Sequence, residues 1–220
     1  MKRPEIKICG LKSEAAIDQV IARGADYVGF IFFGKSPRHV ETDEAARLIE
    51  HVGGRAKTVA VTVNADNDYL EEIVFGAKPD MLQLHGKESV ERVLTVKALF
   101  ARPVIKSFSI RTAEDLVVTE AYEGVADRVL FDAKPPEGAV LPGGNGITFD
   151  WRLLAGMRDS IPYFLSGGLN AENVGEAIVK TGAPGLDISS GVEIAPGVKD
   201  PGRIDAFFDA VAHALESQTA

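Results

Sequence analysis

The chain has 220 residues, 45% of them apolar and 25% charged, enough to bury one sizeable core, so one domain over 1–220 is the starting expectation. A formal charge of −8 without a lysine or arginine cluster argues against a nucleic-acid partner, and no apolar run is long enough to suggest a membrane span. Cys9 is the single cysteine, which excludes an intrachain disulfide and a multi-cysteine zinc site, and with the short charged segment Met1–Glu5 it points to a soluble, cytoplasmic protein.

From the N-terminus, short apolar runs alternate with longer stretches whose apolar residues recur at three and four, the pattern of repeated βα units. The first strand, Ile6–Cys9, leads through Ser13, a candidate N-cap, into a helix over Glu14–Arg23 that Gly24 would close. Strand two, Tyr27–Phe32, precedes Ser36-Pro37-Arg38 and a helix over Asp43–His51 with Thr42 as its expected cap. Thr58–Val63 reads as the third strand, with a helix over Asn67–Phe75 and Gly76 as its C-cap. The fourth, Met81–Leu84, runs into His85-Gly86 and a helix over Ser89–Leu99. Val104–Ser107 and a helix over Ala113–Ala121 make the fifth unit, and Arg128–Asp132 with a helix beginning near Trp151 the sixth. Tyr163–Ser166, the Asn170 cap and a helix over Asn173–Thr181 ending at Gly182 form the seventh; Gly185–Ser189 and Pro201–Leu215 complete the eighth.

Asp26, Asp80, Asp127 and Asp187 stand at the starts of alternate strands, which is either a repeat of two βα units or convergent loop chemistry. Eight units with no linker or shift in composition favour a closed (β/α)8 TIM barrel over an open sheet. In such a barrel the chemistry lies at the C-terminal ends of the strands, so polar residues there are the candidates.

Cys9 ends the first strand. A lone cysteine is commonly a small buried hydrophobe, but at the rim a thiol with an ordinary pKa near ~8.5 needs only modest stabilisation to act as a thiolate base. Asp132 ends the sixth strand; as a desolvated carboxyl in the barrel mouth it would suit proton donation, whereas in a solvated loop it would be a cap. Pro37 stiffens the loop carrying Arg38, whose guanidinium could pair bidentately with a carboxylate. Gln83 and His85 close the fourth strand, where His85 fits a hydrogen-bonding role better than catalysis and lacks the neighbours for a metal site. Gly167 and Gly168 after strand seven, and Ser190 and Gly191 after strand eight, form paired loops of the kind that cradle a phosphate. Gly143-Gly144-Asn145-Gly146 lacks the strand and helix of a dinucleotide fingerprint and reads as a flexible loop.

Together, Lys7-Ile8-Cys9-Gly10, Ser36-Pro37-Arg38, Gln83-Leu84-His85-Gly86, Gly143-Gly144-Asn145-Gly146 with Phe149-Asp150-Trp151, and Ser166-Gly167-Gly168-Leu169 resemble phosphoribosylanthranilate isomerases of tryptophan biosynthesis over essentially the whole chain. The resemblance implies a cofactor-free Amadori rearrangement with Cys9 as general base, Asp132 as general acid, Arg38 on the anthranilate carboxylate, Asp187 close to the substrate, and the phosphate in the Gly167–Gly168 and Ser190–Gly191 loops. It also implies a small anionic phosphosugar-anthranilate substrate, with a monomer expected and a dimer open. Asn145 and Ile147 depart from the family's loop, which carries a small hydroxyl and a polar residue there. The rival readings are the histidine-pathway aldose-ketose isomerase, which resembles a two-aspartate enzyme, a metal-dependent pentose-phosphate epimerase, and a non-catalytic phosphosugar-binding module.

Overall fold

The computed structural model describes residues 2–136, 138–139, 141, 143–144, 146–155 and 162–217. Eight parallel strands pair in sequence order and close on themselves. They are β1 (Glu5–Cys9), β2 (Tyr27–Phe32), β3 (Lys57–Thr62), β4 (Met81–Leu84), β5 (Val104–Ile110), β6 (Arg128–Ala133), β7 (Tyr163–Leu165) and β8 (Gly185–Ile188). Outside lie α1 (Glu14–Ala22), α2 (Thr42–Val52), α3 (Asn67–Glu72), α4 (Val90–Phe100), α5 (Ala113–Val117), α6 (Val174–Thr181) and α7 (Pro201–Glu216).

Strand alternation divides the apolar residues between two cores. Ile6, Ile8, Val28, Phe30 and Leu82 face the helices, where they meet Ile17, Leu48 and Phe207. Cys9, Tyr27, Val59, Val61, Ile105, Leu130 and Phe164 fill the barrel interior. Tyr27 and Phe164 meet edge to face at 5.2 Å, with the Arg128 guanidinium over both rings, and plug the lower end. The interior is therefore packed from below, and a cavity opens at the top.

The aspartate spacing has a common cause at Asp26, Asp80 and Asp127: each accepts, at 2.8 Å, the backbone N–H of Ile6, Thr58 or Val104, at or near the start of the preceding odd strand. Asp187 differs, since it lies within β8 and bonds to Lys7 instead. Several boundaries also move. Glu41 is the cap of α2 and Thr42 its first residue, leaving the Thr42 hydroxyl to donate to Glu72. Gly76 sits inside a π-helical turn, Ile73–Ala77, that continues α3, and Lys78 in the left-handed region ends it, because the extra residue per turn carries the helix past the glycine. After Asp150 only a 3-10 turn, Trp151–Leu154, is described where a helix was expected, and Asn145 falls outside the described residues. A hairpin absent from the strand pattern, β9 (Glu193–Ala195) and β10 (Val198–Lys199), follows β8.

Candidate active site

The strand ends open into a cavity at the top of the barrel. Cys9, Arg38, Gln83, His85, Asp132, Gly167, Gly168, Asp187 and Ser190 all contribute to its lining, so most residues expected at the site meet there. Gly191 lines the adjoining recess with Gly168, Ser190 and Arg203.

Cys9 occupies this position because its strand alternates: Ile6 and Ile8 turn outward, Lys7 and Cys9 inward. Gly29 stands beside Cys9 on β2, and a Cβ there would lie 3.0 Å from the Cys9 sulfur and 3.3 Å from Lys7 Cε. The missing side chain thus makes room for both. Lys7 is wholly buried, and its ammonium donates to Asp187 Oδ1 at 2.7 Å across the β1–β8 seam. Burial pushes the Cys9 thiol up, against the opposing pull of the Lys7 ammonium, so the thiolate is less accessible in the free protein than an ordinary thiol pKa implies. Burial draws Lys7 down, but Asp187 and the sulfur outweigh it and leave the ammonium above the ordinary lysine range.

Asp132 stands on β6, three strand steps from β1 around the ring. It is nearly buried at 4% exposure, and its Oδ1 accepts the N–H of Ala133 at 2.9 Å. Its Oδ2 lies 3.5 Å from His85 Nε2, while His85 Nδ1 sits 2.9 Å from the Gln83 amide nitrogen. The His85 ring thus stands between the Gln83 side-chain amide and the Asp132 carboxyl. A Cβ at Gly143 would fall 2.4 Å from Asp132 Oδ2, which requires glycine where that loop crosses the carboxyl.

Arg38 has the fork geometry expected of it, but the partner belongs to the protein. Its Nε and Nη2 donate to the two carboxylate oxygens of Glu193, each at 2.8 Å, with both residues buried. Lys199 donates to Glu193 Oε1 at 2.8 Å and to the Ser189 carbonyl at 3.0 Å. Burial pushes the Glu193 carboxyl up, yet Arg38 and Lys199 together hold it below the usual carboxylate range. Burial also draws Lys199 down despite Glu193. The third guanidinium nitrogen of Arg38, Nη1, faces Gly144, where a Cβ would approach within 2.8 Å.

Gly167 and Gly168 adopt φ of +90° and +61°, a backbone that side chains rarely allow, and a Cβ on Gly167 would lie 2.7 Å from Ala133 N. A Cβ on Gly191 would lie 1.9 Å from the Leu169 carbonyl, so the two glycine loops are in contact. Lys7, Glu193 and Lys199 carry no expected role in the chain pattern. Lys7 was detectable, since it lies two residues from Cys9 on a strand and must share its face. Glu193 and Lys199 belong to the hairpin, whose one signal is Pro196-Gly197 between apolar neighbours. Among the described residues no group of three or more His, Cys, Asp or Glu side chains is arranged to hold a metal ion.

A family model described as N-(5′-phosphoribosyl)anthranilate (PRA) isomerase matches residues 6–210. An N-(5′-phosphoribosyl)anthranilate isomerase of Rhizobium johnstonii is 62% identical over 212 residues, covering 96% of each chain. The crystal structure of phosphoribosyl anthranilate isomerase from Thermotoga maritima superposes with a TM-score of 0.86 at 32% identity, over 96% of this chain and 99% of the other. A further isomerase structure, in complex with reduced 1-(o-carboxyphenylamino)-1-deoxyribulose 5-phosphate, gives a TM-score of 0.83 at 29% identity, over 96% and 99%. By fold, by sequence along nearly its whole length and by family model, the chain belongs to the N-(5′-phosphoribosyl)anthranilate isomerases.

Proposed function

We propose that Cys9 is the general base and Asp132 the general acid of the family's isomerisation, the rearrangement of N-(5-phosphoribosyl)anthranilate to 1-(2-carboxyphenylamino)-1-deoxyribulose 5-phosphate in tryptophan biosynthesis. The observation that carries this assignment is the shared cavity: one thiol and one carboxyl, from strands on different sides of the ring, line the space where a ligand enters.

Asp132 Oδ1 is occupied by the Ala133 N–H, which leaves Oδ2 to carry the proton. That proton passes to the furanose ring oxygen, the C1–O bond breaks, and the anthranilate nitrogen lone pair forms the protonated C=N bond. The Cys9 thiolate then takes the proton from C2; the C–H bond breaks, S–H forms, and the electron pair moves into C1=C2 as the iminium nitrogen becomes neutral. The Asp132 carboxylate takes the enol O–H proton as the C2=O bond forms, and the electron pair of C1=C2 takes the proton of the Cys9 thiol at C1, which gives the ketone and restores both groups. The iminium is itself the electron sink, so one acid and one base suffice.

The substrate carries charge at both ends. Arg38 would meet the anthranilate carboxylate through the edge bearing Nη1, with Glu193 holding the guanidinium in plane. The Gly167–Gly168 and Ser190–Gly191 loops would take the phosphate, and anchoring both ends fixes C1 and C2 between the two catalytic groups. Gln83 and His85 orient the Asp132 carboxyl, and Asp187 acts beside the substrate chiefly through Lys7. Among the described residues no helix is long and apolar enough to cross a membrane.

The test is the decay of anthranilate fluorescence with freshly generated substrate. Cys9→Ala and Asp132→Asn should each lower kcat by about 10²–10⁴ with little change in KM. Near-native turnover by either variant removes its residue from the assigned role.

A further inference from the structure

A fully buried ammonium is costly, and at Lys7 that cost is met inside the protein, by the carboxylate of Asp187 at 2.7 Å. The Lys7 stem climbs past Gly29, where the absence of a side chain leaves Lys7 Cε and the Cys9 sulfur beside the same empty Cβ position, at 3.3 Å and 3.0 Å. An apolar pair at Lys7 and Asp187 would fill this volume without desolvating a charge, so a charged pair needs a reason beyond packing.

We propose that Lys7 is a positioning residue that stabilises Cys9 as a thiolate, with Asp187 setting how much of the lysine charge the sulfur experiences. The proposal rests on the reading of Cys9 as the base. The charged groups that face the sulfur are Lys7 from β1, Asp187 from β8 and Lys199 from β10, with Arg38, His85 and Asp132 around the cavity. Both lysines are paired, Lys199 with Glu193 and Lys7 with Asp187, but Lys7 shares the inward face of β1 with Cys9 and its stem lies beside the sulfur at Gly29, which makes it the cation placed to act on the thiol. When the C2 proton is transferred, the negative charge leaves the sulfur and the cation is left with Asp187 alone. Lys7 thus favours the reactant state of the base without touching the substrate.

Cys9 is the single cysteine, so thiolate absorbance in the ultraviolet, corrected with the Cys9→Ala variant, reads its ionisation in the ligand-free protein. Lys7→Met should raise the midpoint by about one pH unit or more, and Asp187→Asn, which keeps the ammonium but removes the opposing charge, should lower it. A one-unit rise makes the thiolate tenfold rarer, so kcat/KM of Lys7→Met should fall by about tenfold, while Lys7→Arg should recover most of the loss. A folded Lys7→Met with an unmoved midpoint overturns the proposal. If that variant does not fold, the Asp187→Asn midpoint decides: a downward shift supports the role, and no shift or an upward one refutes it. Failure here is separable from failure of the base assignment, because the midpoint is read without turnover and the Cys9→Ala kinetics do not depend on Lys7.

Discussion

At the bottom of the barrel Asp26, Asp80 and Asp127 bond backbone N–H groups while their side chains stay 35%, 42% and 42% exposed. At the top, Lys7 with Asp187 and Arg38 with Glu193 and Lys199 have side chains no more than 6% exposed. A half-solvated aspartate at a strand start stabilises the turn at little desolvation cost, whereas each buried ion must be compensated by a partner within the protein. The lower end is therefore built for stability. The upper end carries charges that packing alone does not call for, and these surround Cys9 and Arg38, where the proposed chemistry requires them.

Variants at the two ends should respond differently. Glu193→Ala strips Arg38 and Lys199 of their shared carboxylate and should lower stability by about 3–5 kcal/mol in urea titration, with a raised KM as the guanidinium loses its plane. A loss under about 1 kcal/mol would show that water already compensates the ions, and the contrast would fail. Asp80→Ala removes an acceptor of two bonds from Thr58 but leaves a site that water reaches, so the cost should be about 1 kcal/mol with kcat and KM unchanged. A change in turnover there would mean that the lower end is coupled to the site.

Much of the barrel is legible in the chain because its strands are short apolar runs separated by periodic helices, and parallel pairing in sequence order follows from that alternation. The elements that move are those in which a local rule meets a tertiary one. Gly76 has the residue type of a helix end, but the backbone of α3 widens into a π turn and ends at Lys78. Asp187 resembles Asp26 in sequence context, yet its neighbour across the seam is Lys7, and an ion pair replaces a backbone bond. At the site, residues at strand ends were visible because a strand fixes which face a side chain takes. Glu193 and Lys199 were not, since they act from a hairpin whose contact with Arg38 spans 155 residues of chain. The bidentate habit of Arg38 could be read from its type and place, but not the fact that its first carboxylate is internal.

The central claim is that a buried thiol is the base, and the pH dependence of kcat/KM beside a direct titration of Cys9 in the free protein tests it most directly. An acid and a base that share one proton give the greatest kcat/KM between their two ionisations, with a fall on either side. The upper ionisation belongs to Cys9, whose thiol burial holds above the ordinary range. The alkaline fall should therefore coincide with the appearance of the thiolate, at a pH above the usual ~8.5 of a free thiol. A rate that stays level while the Cys9 thiol ionises would contradict the account.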